Sequence, residues 1–116
     1  MKQRDITQPH RVSPAYVHER MQRGHDLLLV CAYEDDEVCR QIGIEGATSV
    51  NGLMQREGTL DENRELVFYG RDPNDGVPIE RAADYLRYYR NVKVMSGGFQ
   101  AWTDAGYPTV GSRAPR

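Results

Sequence analysis

The chain holds 116 residues, room for one domain around one modest core. Fifteen basic side chains against 17 acidic ones leave a formal net charge of −2, with no basic stripe to suit nucleic acid. No apolar run is long enough to span a bilayer, and Met1 to Thr7 has no apolar segment behind its charges, so neither a membrane anchor nor a signal peptide is expected.

These exclusions point to a cytoplasmic protein. There Cys31 and Cys39, the two cysteines, are expected as free thiols and not as a bridge. Residues 1–10 read as a polar lead-in. Arg11-Val12 suits a short edge strand. Ser13-Pro14 then starts a helix, with Ser as N-cap and Pro in the first turn. Tyr16, Val17 and Met21 give it an apolar stripe to about Gln22, and Gly24 closes it. His18 and His25 are expected to face solvent, since neither has a partner at metal-ligand spacing. Leu27 to Ala32 is continuously apolar, as a strand buried on both faces is. The acidic run Glu34 to Glu37 suits a solvated helix start. Ile44 to Val50 reads as a turn and a short strand, and Asn51 to Glu57 as one or two helical turns.

The stretch from Glu65 to Ala83 organises the rest. Leu66 to Tyr69 is a short buried strand. Gly70 to Gly76 is a loop by composition, with two Gly, one Pro, two Asp and one Asn. Pro78 then opens an amphipathic helix running to about Tyr89, with Ile79, Ala82, Ala83 and Leu86 inward and tyrosines capping the core. Val92 to Met95 is a last strand, Ser96-Gly97-Gly98 a tight turn. Phe99, Trp102 and Ala105 form the inward side of a short final helix, with Trp102 its buried anchor.

Strands alternating with helices imply an α/β domain with a central, mostly parallel, five-stranded sheet and helices on both faces. Ligands of such sheets bind beyond the carboxyl ends of the strands. Gly70, Cys31-Ala32 and Ser96 to Gly98 all fall at such ends. A loop between a strand and a helix N-terminus favours an anion there. Gly70, Arg71, Asn74 and Gly76 are its candidate lining, Arg71 supplying charge. Asp72 and Asp75 are expected to oppose the anion at close range.

Val92 to Pro108 resembles the closing segment of rhodanese-like domains, in which a strand, a Gly-Gly turn, a short Trp-bearing helix and a Gly-Tyr-Pro end recur. Ile44-Glu45-Gly46-Ala47 is similar to the family's Ile-Pro-Gly-Ala turn, Leu27 to Tyr33 to its second strand, and Ser13 to Tyr16 to its opening helix. The resemblance covers about residues 11–110, leaving 111–116 as a tail. It implies the rhodanese-like fold and no cofactor. Leu66 to Gly70 matches the strand that carries the family's catalytic cysteine, and here Gly70 takes that position. The following loop looks longer than the family's six-residue active loop. Cys31-Ala32-Tyr33 and Gly43 likewise replace the family's Asp-x-Arg and the His of its turn.

Sulfur transfer needs a thiolate to hold the sulfur as a persulfide, and glycine has no side chain to do so. The expectation is therefore a binding or regulatory module whose catalytic position is vacant. Its ligand would be a small anion or a protein partner, and its binding loop Gly70, Arg71, Asp72, Asn74, Asp75 and Gly76. No metal site is expected. The alternative is a thiosulfate or persulfide sulfurtransferase using Cys31, which lies at a strand's carboxyl end. Phosphatase or arsenate-reductase chemistry would need the same absent loop cysteine.

Overall fold

The computed structural model describes residues 9–24 and 26–110, so His25, most of the polar lead-in and the tail 111–116 lie outside the described residues. Five parallel strands form one sheet: β1 (His10–Val12), β2 (Leu27–Cys31), β3 (Thr48–Ser49), β4 (Glu65–Tyr69) and β5 (Val92–Met95), in the order β1-β5-β4-β2-β3. The two central strands, β2 and β4, are buried at every residue, as the apolar runs Leu27–Cys31 and Leu66–Tyr69 predict, with Glu65 buried besides. Their register pairs Cys31 with Tyr69, so both strands end side by side just before Gly70.

Because side chains alternate along a strand, each central strand feeds two cores. Leu28, Val30, Leu66 and Phe68 point to one face, where Leu53 of α3 (Val50–Met54) and Ala82 of α4 (Val77–Tyr85) cover them, joined by Tyr89 from beyond α4, which ends four residues short of the expected Tyr89. Leu29, Cys31, Val67 and Tyr69 point to the other, against Val17 of α1 (Pro14–Gln22) and Trp102 of α5 (Gly98–Asp104). α2 (Asp36–Gln41) follows β2 after the four residues 32–35.

The local signals act where the sequence placed them. Ser13 caps α1, its Oγ accepting the Tyr16 N–H at 3.0 Å, with Pro14 as the first helical residue. Asp35 caps α2 by accepting the Glu37 N–H at 2.9 Å, and the rest of the acidic run lies in solvent. Trp102 is 1% exposed and donates its indole N–H to the Pro108 carbonyl at 2.8 Å.

Three expectations need correction. His18 does not face solvent freely: its ring stacks on Tyr107 at 4.1 Å and meets Trp102 edge-on at 5.8 Å. An imidazole ring is flat and can cover aromatic rings with its face. Ala105 is exposed, because α5 ends at Asp104 and the chain turns away. Cys31 and Cys39 are bridged, not free. When α2 folds back beside β2 it brings their Cα atoms to 5.9 Å, inside the range a disulfide spans.

Candidate functional site

The carboxyl ends of β4, β2 and β5 converge on the loop Gly70–Gly76, and α4 begins at Val77, so the irregular stretch is seven residues long. Gly70 itself is buried. The loop's backbone is fixed from below by α5: the Phe99 N–H donates to the Gly70 carbonyl at 2.8 Å and the Gln100 N–H to that of Arg71 at 2.9 Å. This close approach requires Gly98. Its φ is +63°, and a Cβ there would lie 2.8 Å from the Gly70 oxygen and 2.9 Å from the Asp72 nitrogen. Gly98→Ala should therefore cost about 1–3 kcal/mol, from overpacking and an unfavourable φ together. Urea melts measure it. A loss under about 0.5 kcal/mol would mean that the loop gives way freely.

Asp75 folds back into the middle of this loop. Its Oδ2 accepts the Arg71 N–H at 2.8 Å and the Tyr33 hydroxyl, and its Oδ1 accepts the Val77 N–H at 3.0 Å. Aspartate commonly bonds nearby backbone in this way. A Cβ built on Gly70 would collide with Asp75 Oδ2 and lie 2.8 Å from Pro78 Cδ. The space where a side chain at position 70 would begin is thus taken by a carboxylate. Burial works to raise the Asp75 pKa, but the Tyr33 hydroxyl, the two backbone N–H groups and the Arg71 charge outweigh it and hold the carboxyl below its usual value. The reciprocal effect on Tyr33 pushes its phenol up to about 12, through burial first and then its bond to Asp75.

The expected lining divides accordingly. Gly70, the Arg71 N–H and Asp75 meet at the centre. Asp72 turns to its own loop, accepting the Asn74 N–H at 2.9 Å, while Asn74 and Gly76 sit on the exposed outer side. The Arg71 guanidinium lies over the Tyr33 ring at 5.2 Å. Asp75 places its own carboxylate on the donors that an anion would use. Arg81 of α4 closes the neighbouring wall. It donates to the Ala32 carbonyl at 3.2 Å and pairs with Glu34 at 3.3 Å. Tyr33 stands out in the sequence only as the residue in place of the Arg of the family's Asp-x-Arg, and Arg81 does not stand out at all. Position places both, Tyr33 just past the end of β2 and Arg81 a turn inside α4.

Residues 13–105 match the family model of the rhodanese-like domain. The chain belongs to the rhodanese-like family. No curated protein matches it. Among solved structures, a protein of Bacillus halodurans superposes with a TM-score of 0.73 at 17% identity, over 91% of this chain and 82% of that one. A protein of Rhodopseudomonas palustris, described as a possible tyrosine phosphatase, gives 0.71 at 20% identity, over 94% and 96%. A protein of Saccharomyces cerevisiae, described as a homologue of single-domain rhodanese and of the Cdc25 phosphatase catalytic domain, gives 0.64 at 18% identity, over 90% and 86%. At these identities the likeness is one of fold.

Among the described residues no helix is long and apolar enough to cross a membrane.

Proposed function

We propose that this rhodanese-like protein does not transfer sulfur and acts as a binding or regulatory module, in the cytoplasm. The observation that carries this reading is the Asp75 carboxylate at the mouth of Gly70, bonded to the loop N–H groups that a persulfide would need. A persulfide requires both a thiol to carry it and donors to stabilise its charge. Here the first is absent and the second are engaged. The same argument disfavours the phosphatase reading that the Rhodopseudomonas neighbour's description suggests, since that chemistry also calls for a loop nucleophile and free donors. It disfavours a small anion as ligand too, because an incoming anion would meet Asp75 first. A protein partner, recognising the loop's exposed rim of Arg71, Pro73 and Asn74, fits better. Cys31 offers no substitute nucleophile in this state, because the residue is 2% exposed and its sulfur is bonded to Cys39.

The test is incubation of the wild-type protein with thiosulfate, followed by intact-mass analysis and a cyanide turnover assay. No sulfur gain and no thiocyanate above the blank are expected. Turnover accompanied by a sulfur on Cys31 or Cys39 would overturn the proposal and favour transfer through those thiols.

A further inference from the structure

The Cys31–Cys39 bridge plays no part in the loop described above, yet it is placed to control it. Cys31 ends β2 and Cys39 lies late in α2, so the bridge closes a short ring of chain that contains Tyr33 and Glu34. The Cys39 sulfur lies 3.4 Å from the Tyr33 carbonyl. From this ring Tyr33 reaches Asp75 and Glu34 reaches Arg81 of α4. One covalent bond therefore fixes the segment that clamps both the loop and the helix behind it. The bridge also lines a cavity of about 460 Å³, together with Asp36, Arg40, Ser49 and Tyr69. Cys39 is half-buried where Cys31 is buried, so it is the more accessible residue of the bridge.

We propose that Cys31–Cys39 is an exchange site for dithiols, and that its redox state sets how firmly Tyr33 holds Asp75 in the loop; this second half rests on the occupied-loop reading above. The thiolate of an incoming dithiol enters the cavity and attacks Cys39 Sγ. The bond between the two cysteine sulfurs breaks, and its electron pair leaves on Cys31, which takes up a proton. The dithiol's second thiolate attacks its own sulfur in the mixed disulfide. The dithiol departs oxidised, and Cys39 is released as a thiolate that takes up the second proton. Two electrons have passed from dithiol to protein. A reducing compartment supplies such dithiols and would hold most proteins' exposed bridges open. Without the bridge, the ring from 32 to 38 loses its covalent constraint, and Tyr33 loses the anchor that aims it at Asp75.

Dithiothreitol is the probe, used on the full chain in native buffer. Iodoacetamide mass tagging should add no group to air-oxidised protein and two groups after dithiothreitol. Tagging of both thiols before any reductant, after equilibration in an oxidising glutathione buffer, would overturn the exchange site. So would a bridge that opens only in denaturant. Amide hydrogen exchange tests the coupling. Protection of the Arg71 and Val77 N–H groups should fall at least about tenfold on reduction, while Leu66 and Val67 in β4 stay unchanged. Cys39→Ser should behave as the reduced protein does. Unprotected Arg71 and Val77 amides in the oxidised protein would sink the occupied-loop reading itself. Protected amides that stay protected after reduction would leave that reading standing and sink the coupling.

Discussion

Gly70→Cys alone should load no sulfur, whereas Gly70→Cys with Asp75→Ala should gain one sulfur atom from thiosulfate and pass it to cyanide. The single variant drives a side chain into Asp75 Oδ2 and against Pro78 Cδ, so it should destabilise the loop without creating a usable thiolate. Removing the Asp75 carboxylate as well empties that space. It also frees the Arg71 and Val77 N–H groups, which then face the introduced sulfur and lower its pKa, as loop and helix-terminal donors do for reactive cysteines. A nucleophile that acts with its partners as a unit is worth about 10⁶ in kcat, so even a poorly tuned one should exceed the wild type by at least about 100-fold. Thiocyanate release and the mass of the loaded protein measure it. Loading by the single variant at the level of the double one would show that Asp75 moves aside freely and does not occupy the site. No loading by either would mean that the loop donors are not aimed at position 70.

The site was half legible in the sequence, and the dividing line is physical. A run such as Leu27 to Val30 announces a doubly buried strand because burial on both faces demands apolar residues at every position. Gly70 at the end of Leu66 to Tyr69 likewise announces a vacant position, because a glycine cannot conceal a nucleophile. What Asp75 does was not legible. Its charge predicts repulsion of an anion from beside the loop, and not occupation of the loop donors by its own carboxylate. The turn from Asp72 to Asp75, closed by the Asp75 N–H on the Asp72 carbonyl at 3.1 Å, points it inward instead. Composition does not encode that direction. The two cysteines show the same limit. Their separation of eight residues says nothing of distance until α2 is seen to fold back along β2. The closing segment was read most completely, since Gly97 and Gly98 serve backbone needs that only glycine meets, with φ of +80° and +63°.

Glu65 is a further case in which chain position hid a role, and it carries the second large effect. It opens the apolar run of β4 and was read as nothing more, yet it is 4% exposed. Its Oε1 accepts the Arg20 Nε at 2.9 Å, and its Oε2 accepts Lys93 Nζ at 2.7 Å and the Tyr16 hydroxyl at 2.6 Å. This ties α1, β4 and β5 together at the amino end of the sheet, opposite the Gly70 loop. Glu65→Ala should destabilise the fold by about 3 kcal/mol. That is the low end for breaking a buried ion pair, because Arg20 and Lys93 keep part of their side chains in solvent and recover some hydration. The pH dependence follows from the sign of the shift. Burial alone would raise the Glu65 pKa, but the Lys93 and Tyr16 hydrogen bonds and the charges of Lys93 and Arg20 bring it below its ordinary value. The unfolded chain then binds this proton more readily than the folded one. The stabilisation is complete above the unfolded value of about 4.3 and is lost as pH falls through the lower folded value. Urea melts of the wild type and of Glu65→Gln at pH 7, 5 and 3 separate the two. The wild type should lead by the widest margin at pH 7 and keep it at pH 5. At pH 3, below the unfolded value, the margin should narrow, because the unfolded chain then holds a proton that folding must release. A constant margin across all three would show that Glu65 acts through packing and not through its charge.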